Sequence, residues 1–394
     1  MPGTNILLLL LHDLLIDRNL MSWRTTMNLK DLGWNNFFEG HFERFRNQSL
    51  VPARIAQEHK DLYLIYSQHG ELAARISGKL RHAVQSKAEL PTVGDWVAAK
   101  PRPDEQKATI LVILPRKSLF SRKAVLSGGM PDSGGKTEEQ ILAANVDTLF
   151  LVSGLDVDFN LRRIERYLSV AWDSGASPVI VLNKADLCSD VSEKVAEVEF
   201  IAFGVPIHPV SAIQSQGLET LQKYLDQGKT TALLGSSGVG KSTIINKVLG
   251  EESIRVKAVR AYDGRGRHTT AYRQMILLPS GGVLIDTPGM RELALWSNEQ
   301  GLERTFSDIS ELALQCRFKD CSHRTEPGCA VQQALRDGTL NPSRYKNYLK
   351  LQKELKHLAL RQDIKARRRS ERAFDKKIRQ RLKAQKEIEG KGTL

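Results

Sequence analysis

The stretch Gly235-Ser236-Ser237-Gly238-Val239-Gly240-Lys241-Ser242 concentrates more chemistry than any other in the chain. It follows the apolar run Thr231–Leu234 and opens a segment with Ile244, Ile245 and Val248 at helical spacing. Glycines there let the backbone curl so that its N–H groups converge on phosphate oxygens, and a helix N-terminus adds partial positive charge. In this strand-to-helix setting the pattern GxxxxGK[ST] predicts a phosphate loop, with Lys241 spanning β- and γ-phosphates, Ser242 on Mg²⁺ and Thr243 beside it. A second stretch, Asp286-Thr287-Pro288-Gly289, closes the short apolar run Val283–Ile285. Asp286 is placed to hold the Mg²⁺ shell through water, and Gly289 to offer an N–H to a γ-phosphate. Alone, that stretch is an ordinary Asp-initiated turn; a phosphate loop upstream gives it meaning.

Asn183-Lys184-Ala185-Asp186 follows the apolar run Pro178–Leu182 and resembles the NKxD element of GTPases. There the Asp carboxylate accepts from guanine N1 and N2, the Lys stem lies along the base and the Asn braces the loop. Adenine lacks that donor pair, and an Asp left unpaired costs about 1–3 kcal/mol, so the expected nucleotide is GTP rather than ATP. Ser211-Ala212, after Ile207–Val210, resembles the companion element whose backbone N–H meets guanine O6. In ordinary GTPases the phosphate loop comes first; here NKAD and SA precede it and DTPG comes last. The domain is therefore expected to be circularly permuted, which a sheet tolerates when its original termini lie close together.

Between the phosphate loop and DTPG lies Gly264-Arg265-Gly266-Arg267-His268-Thr269-Thr270, a polar loop of the kind that forms switch I. Thr269 or Thr270 closes over Mg²⁺ and the γ-phosphate; spacing does not choose between them. The residue after Gly289, where many GTPases keep a water-orienting Gln, is Met290. His268 is the candidate for that task, the plain alternative being a solvent-facing loop histidine. Further on, Cys316, Cys321, His323 and Cys329 supply three thiolates and an imidazole at loop spacing, which suits tetrahedral Zn²⁺ in a closed, structural site. Cys188 lies apart and reads as a plain thiol.

Composition bounds what these motifs can belong to. At 394 residues, 41% hydrophobic and 26% charged, the chain has room for two or three domains and falls outside disordered, collagen-like and coiled-coil classes. Four cysteines are too few for a disulfide-stapled scaffold and fit a reducing compartment, here the cytoplasm. From Asn341 to Leu394 there are 18 Lys and Arg against 6 Asp and Glu, a net +12 out of the chain's +13. Tyr345 to Lys386 reads as a long helix, and its charge suits the phosphate backbone of a nucleic acid. Ile6–Leu11 is too short an apolar run for a membrane span and a poor signal peptide, so no membrane association is expected.

Five short strands are predicted at Val51–Ala56, Leu62–Tyr66, Glu71–Ile76, Trp96–Lys100 and Thr109–Leu114, enough for a small barrel, OB-like or SH3-like. Ser127–Thr137 reads as a mobile Gly/Ser-rich loop. After it, strands at Val146–Val152, Pro178–Leu182, Ile207–Val210 and Thr231–Leu234 alternate with helices, the pattern of a parallel sheet covered on both faces. The expected domains are a flexible leader over 1–48, the barrel over 49–119, the permuted GTPase over 120–298, and an α-helical zinc-binding domain with a basic tail over 299–394. Met21 and Met27 mark the first twenty-odd residues as a leader or an upstream start.

The ordered set of Pro91-Thr92-Val93-Gly94-Asp95-Trp96 in the barrel, NKAD, SA, GSSGVGKS, GRGRHTT, DTPGM and CxxxxCxHxxxxxC resembles the RsgA/YjeQ family of circularly permuted GTPases, over roughly Met27 to Arg361. That resemblance implies an OB-fold barrel, a zinc-binding C-terminal domain, and a GTPase that binds the small (30S) ribosomal subunit and its rRNA. It also implies action late in subunit maturation and stimulation by the subunit; a monomer is expected. The apolar leader and the long basic tail depart from the family. Two competing readings are an RNA-binding, GTP-dependent adaptor with little turnover and a GTPase acting on a different RNA or a membrane-bound partner.

Overall fold

The computed structural model describes residues 27–59, 62–84, 86–125, 137–250, 273–286 and 299–360. The chain divides into two compact units, Met1–Ala294 and Leu295–Leu394.

In the first unit β1 (Val51–His59), β2 (Leu62–Ser67), β3 (Gly70–Ile76), β4 (Trp96–Arg102) and β5 (Lys107–Ile113) pair in the order β1-β2-β3-β5-β4, and β4 returns to β1. That closure makes a five-stranded OB-like barrel. Because side chains alternate along a strand, one face of each delivers its apolar residues inward. Ile55, Ile65, Leu72, Val97 and Ile110 fill the interior.

Residues 28–48 are not a leader. Helix α1 (Asn36–Phe42) starts at an Asn35 cap that accepts from the Phe37 N–H, and a 3-10 turn over Glu43–Gln48 continues it. Its buried Phe38, with Trp34 before it, packs on Trp96 of β4, ring centroids 5.7 and 4.7 Å away. Positions 34, 38, 42 and 45 form a helical stripe, and burying those rings outweighs the entropy of ordering the segment. The expected leader residues 1–26 lie outside the described residues.

Beyond the barrel, and past the short helix α2 (Gly78–Ala83), β6 (Leu119–Val125) and β7 (Thr137–Ala144) form an antiparallel hairpin that the sequence pattern did not suggest. The loop joining them, expected to be mobile, lies outside the described residues. Next come β8 (Thr148–Gly154), α3 (Leu161–Ser174), β9 (Ser177–Asn183), α4 (Val191–Glu199), β10 (Ile207–Pro209), β11 (Thr230–Gly235), α5 (Lys241–Leu249), β12 (Gln274–Leu277) and β13 (Val283–Asp286). The helix expected before β11 is a 3-10 stretch, Leu218–Tyr224, and β12 was not anticipated. Strand order is β10-β9-β8-β11-β13-β12, parallel except for β12, so β11 enters the middle of a sheet whose other half precedes it in sequence. Phe150, Val181, Leu233, Ile244 and Leu284 share its core.

One pairing, Gln57 with Gln274, joins β1 to β12, so barrel and sheet form a continuous eleven-stranded system. Arg54 of β1 pins the junction. Buried, it donates to the carbonyls of Gly94 (3.1 Å), Asn145 (3.0 Å) and Leu32, and to Thr230 Oγ1 of β11 (2.9 Å). Burial pulls its guanidinium down to about 10, opposed by Asp147 and Asp95, so it stays charged at neutral pH. Beside it Arg116 makes a two-pronged ion pair with the buried Asp95, 2.8 Å in each contact.

The second unit holds α6 (Glu299–Thr305), α7 (Ser307–Leu314), α8 (Ala330–Arg336) and a helix described over 342–360. Buried Arg344 ties that last helix to Asp308 through two contacts (2.9 and 2.8 Å) and to Thr305 O (2.9 Å), over the Phe306 ring. Among the described residues no helix is long and apolar enough to cross a membrane.

Replacing Arg54 by Ala strands several buried acceptors, each costing about 1–3 kcal/mol. Urea unfolding of Arg54→Ala is therefore expected to show a loss of at least about 3 kcal/mol, and Arg54→Lys, with a compact ammonium in place of the planar fork, to recover only part of it.

Candidate functional site

Parallel strands leave their carboxyl ends along one edge, where loops from several strands converge. There β9 ends on Asn183, whose buried side chain joins three loops. Its Nδ2 donates to Val239 O (2.8 Å) in the phosphate loop, and the Ala212 N–H donates to its Oδ1 (3.0 Å). The Ala185 N–H adds a bond to Val210 O (3.1 Å). The predicted groups Asn183–Asp186, Ser211–Ala212 and Gly235–Ser242 thus meet at one edge.

Within the phosphate loop, Gly240 has φ 99°, and a Cβ there would fall 2.1 Å from Asn183 Nδ2. Gly238 also has a positive φ, 77°, yet faces open space. Helix α5 starts at Lys241 directly after Gly240, and the N–H groups of its first turn have no helical acceptor, which favours an anion there. Lys241 Nζ donates to the carbonyls of Gly235 (2.6 Å) and Ser236 (2.5 Å). Ser242 is exposed and Thr243 half-buried. Asp286 ends β13 one step beyond the Ala232–Ile285 pair, alongside the strand that feeds the phosphate loop. The Ser242 and Asp286 oxygens are the hard donors that Mg²⁺ takes.

Lys184 has a left-handed backbone (φ 65°), and Asp186 is exposed in the 3-10 turn Ala185–Leu187 that follows. Exposed apolar side chains flank this loop: Leu187 at 65% and Ile213 at 72%. His268, Thr269, Thr270, Gly289 and Met290 lie outside the described residues.

Two acids at this edge escaped the sequence reading. Lys184 Nζ pairs with Asp156 Oδ2 at 2.6 Å, and that contact holds the Asp156 carboxyl below the usual carboxylate range. Ser236 Oγ donates to Asp158, which also accepts from Arg163 at 2.5 Å. An Asp-x-Asp just past the end of a strand on the ligand edge was the available signal.

In the second unit the ligand atoms of Cys316, Cys321, His323 and Cys329 lie within 4.8 Å of one another. His323 Nδ1 is 3.5 Å from the sulfurs of both Cys316 and Cys329, which are 3.8 Å apart. The His323 carbonyl accepts from Gln332 Nε2 (2.7 Å) and the Tyr345 hydroxyl (3.2 Å), anchoring a residue held at φ 56°. Burial and the neighbouring sulfurs push the Cys321 thiol up to about 11. Cys316 moves down against the cost of its own burial, because the Val331 and Ala330 N–H groups at the start of α8 point at it. A cation would relieve the crowding of three thiolates, and three sulfurs with one imidazole fit a tetrahedral metal ion.

Taken together, the permuted strand order, the phosphate loop and the adjoining Asn183–Asp186 loop define a circularly permuted GTPase. The RsgA GTPase family model matches residues 113–296. A small ribosomal subunit biogenesis GTPase RsgA from Opitutus terrae is 46% identical over 375 residues, covering 93% of this chain and 100% of that protein. Its namesake from Syntrophotalea carbinolica is 45% identical, covering 86% and 93%. Among solved structures, YjeQ from Thermotoga maritima is 28% identical with TM-score 0.56, covering 78% of this chain and 99% of its own. YloQ, a circularly permuted GTPase, shares the fold at 23% identity and TM-score 0.54, covering 79% and 97%. This chain belongs to the RsgA family of GTPases.

Gly240→Ala combines a strained φ with a clash into the Asn183 amide, whereas Gly238→Ala meets only the strain. Titration with a fluorescent guanine nucleotide is expected to show at least about a tenfold loss of affinity for Gly240→Ala, equivalent to about 1.4 kcal/mol, and a clearly smaller loss for Gly238→Ala.

Proposed function

We propose that this protein hydrolyses GTP on the small ribosomal subunit during late maturation of that subunit, and that the subunit stimulates the reaction. The observation that carries the reading is the Asn183 bridge, which fastens a base-reading loop to a phosphate loop. In this assignment Asp186 reads the guanine edge, the Lys184 stem lies along the base, and Ser211-Ala212 is the companion element beside it, held there by the Ala212 N–H bond to Asn183. The N–H groups of Gly235–Thr243 and the Lys241 ammonium take the phosphates. Ser242 and Asp286 would hold Mg²⁺, which supplies charge neutralisation at the β- and γ-oxygens. His268 orients the attacking water, Thr269 or Thr270 closes over the γ-phosphate, and Gly289 offers its N–H. The names of the relatives from Opitutus terrae and Syntrophotalea carbinolica support the ribosomal part.

Cys316, Cys321, His323 and Cys329 are assigned a structural Zn²⁺, which leaves no open coordination position and so no catalytic part. Ribosomal RNA is engaged by the barrel (49–119), the zinc-binding unit (299–394) and its basic tail, with the GTPase domain (120–298) between them in sequence. The protein works as a cytoplasmic monomer.

Phosphate release should be measured for the protein alone, with small subunits and with large subunits, with ATP as control. Stimulation of GTP turnover by small subunits only is expected, with Lys241→Ala inactive and Asp186→Asn relaxed in guanine preference. GTP binding without release in every condition would favour an adaptor, and turnover indifferent to small subunits would point to another RNA partner. Cys321→Ala or chelation is expected to release the metal and unfold the second unit, read by metal content and circular dichroism, with nucleotide affinity within about twofold of wild type.

A further inference from the structure

The segment Gly154–Asp158, between β8 and α3, belongs to none of the motifs that mark the nucleotide site, yet it touches two of them. At its start the Leu155 N–H donates to Asn183 O (2.8 Å). Asp156 splits its carboxylate: Oδ2 takes the Lys184 ammonium at 2.6 Å, and Oδ1 takes the Asp158 N–H at 3.0 Å. The Phe159 N–H returns to Asp156 O (2.9 Å), and Asn160 caps α3 by accepting from the Arg163 N–H (3.1 Å), so the segment is fastened at both ends. Asp158 reaches the other way, to Ser236 Oγ, with Arg163 on its second oxygen. Gly154 is needed for this approach, since a Cβ there would sit 2.6 Å from Asp156 Oδ1.

We infer that Gly154–Asp158 is a positioning element of the nucleotide site, in which Asp156 sets the Lys184 side chain for the base and Asp158 sets the phosphate loop through Ser236. The inference rests on the base-site role proposed for Lys184. A lysine stem is held along a base face at lower entropic cost when its ammonium has a fixed partner, because rotamer freedom in so long a side chain otherwise costs affinity. Asp156 supplies that partner through its bond from Lys184 Nζ. It acts on the face of the base and not on its edge, so guanosine and inosine nucleotides should feel its loss equally, unlike the loss of Asp186.

The test uses the full-length protein and fluorescent GDP, with inosine diphosphate as competitor. Asp156→Ala and Lys184→Ala are each expected to weaken GDP binding about tenfold and the double variant no more than the worse single one, because both remove the same interaction. The ratio of GDP to inosine diphosphate affinity should stay unchanged in Asp156→Ala. Asp156→Asn, isosteric and still an acceptor, should recover part of the loss, and it serves as the test variant should Asp156→Ala melt early. Likewise Asp158→Ala and Ser236→Ala should be non-additive. Additive losses would assign Asp156 a general structural role and overturn the inference, as would wild-type affinity in both Asp156 variants. If Lys184→Ala binds like wild type, the base-site assignment falls with it; if only the Asp156 variants do, the assignment stands and the positioning role alone is lost.

Discussion

A carboxamide offers one donor group and one acceptor, on opposite sides of a plane, and the nucleotide edge of this protein is organised around a single buried one. Asn183 donates toward the phosphate loop and accepts from the Ala212 N–H, so neither neighbour can shift without stranding a polar atom in a low dielectric. Its strand, β9, is not adjacent to the phosphate-loop strand β11, since β8 lies between them. The side chain must therefore span the end of β8, and the backbone it reaches carries a glycine where any larger residue would collide with the amide.

The second constraint lies at the junction of barrel and sheet. A guanidinium has donors in a rigid fork, and Arg54 distributes them over the N-terminal segment, the turn before Trp96, the residue after β7 and the first residue of β11. These contacts, with the Gln57–Gln274 pairing, make the barrel an extension of the sheet within one compact unit rather than a bead on a linker. The barrel is thereby tied through Arg54 to β11, the strand that leads into the phosphate loop.

What the sequence disclosed follows from how its information is distributed. Phosphate and base loops are short contiguous runs in which spacing alone encodes geometry, so Gly235–Ser242, Asn183–Asp186 and the Cys/His set were legible, as were the barrel strands and the permuted order. Asp156 and Asp158 were not, because their meaning lies in partners far along the chain, Lys184 and Ser236, which only the fold brings near. The stripe at Trp34, Phe38, Phe42 and Phe45 was present in the sequence but masked by the polar residues around it, and its worth became visible only with Trp96 as its counterpart. The β6–β7 hairpin is rich in polar residues and is split in sequence by a long Gly-rich run, which conceals strand periodicity, and four residues are too few for β12 to announce itself.

Permutation also sets a timetable for synthesis. In an ordinary order the phosphate-loop strand leaves the ribosome first and its neighbours assemble against it; here β8 is complete at Gly154 while its partner β11 begins at Thr230. At about 5–20 residues per second, that gap holds one edge of β8 unpaired for several seconds, with Asn183 already made and Val239 still to come. An open strand edge is a template on which chains pair wrongly, and here that edge exists before the phosphate loop that would bind a nucleotide has been made.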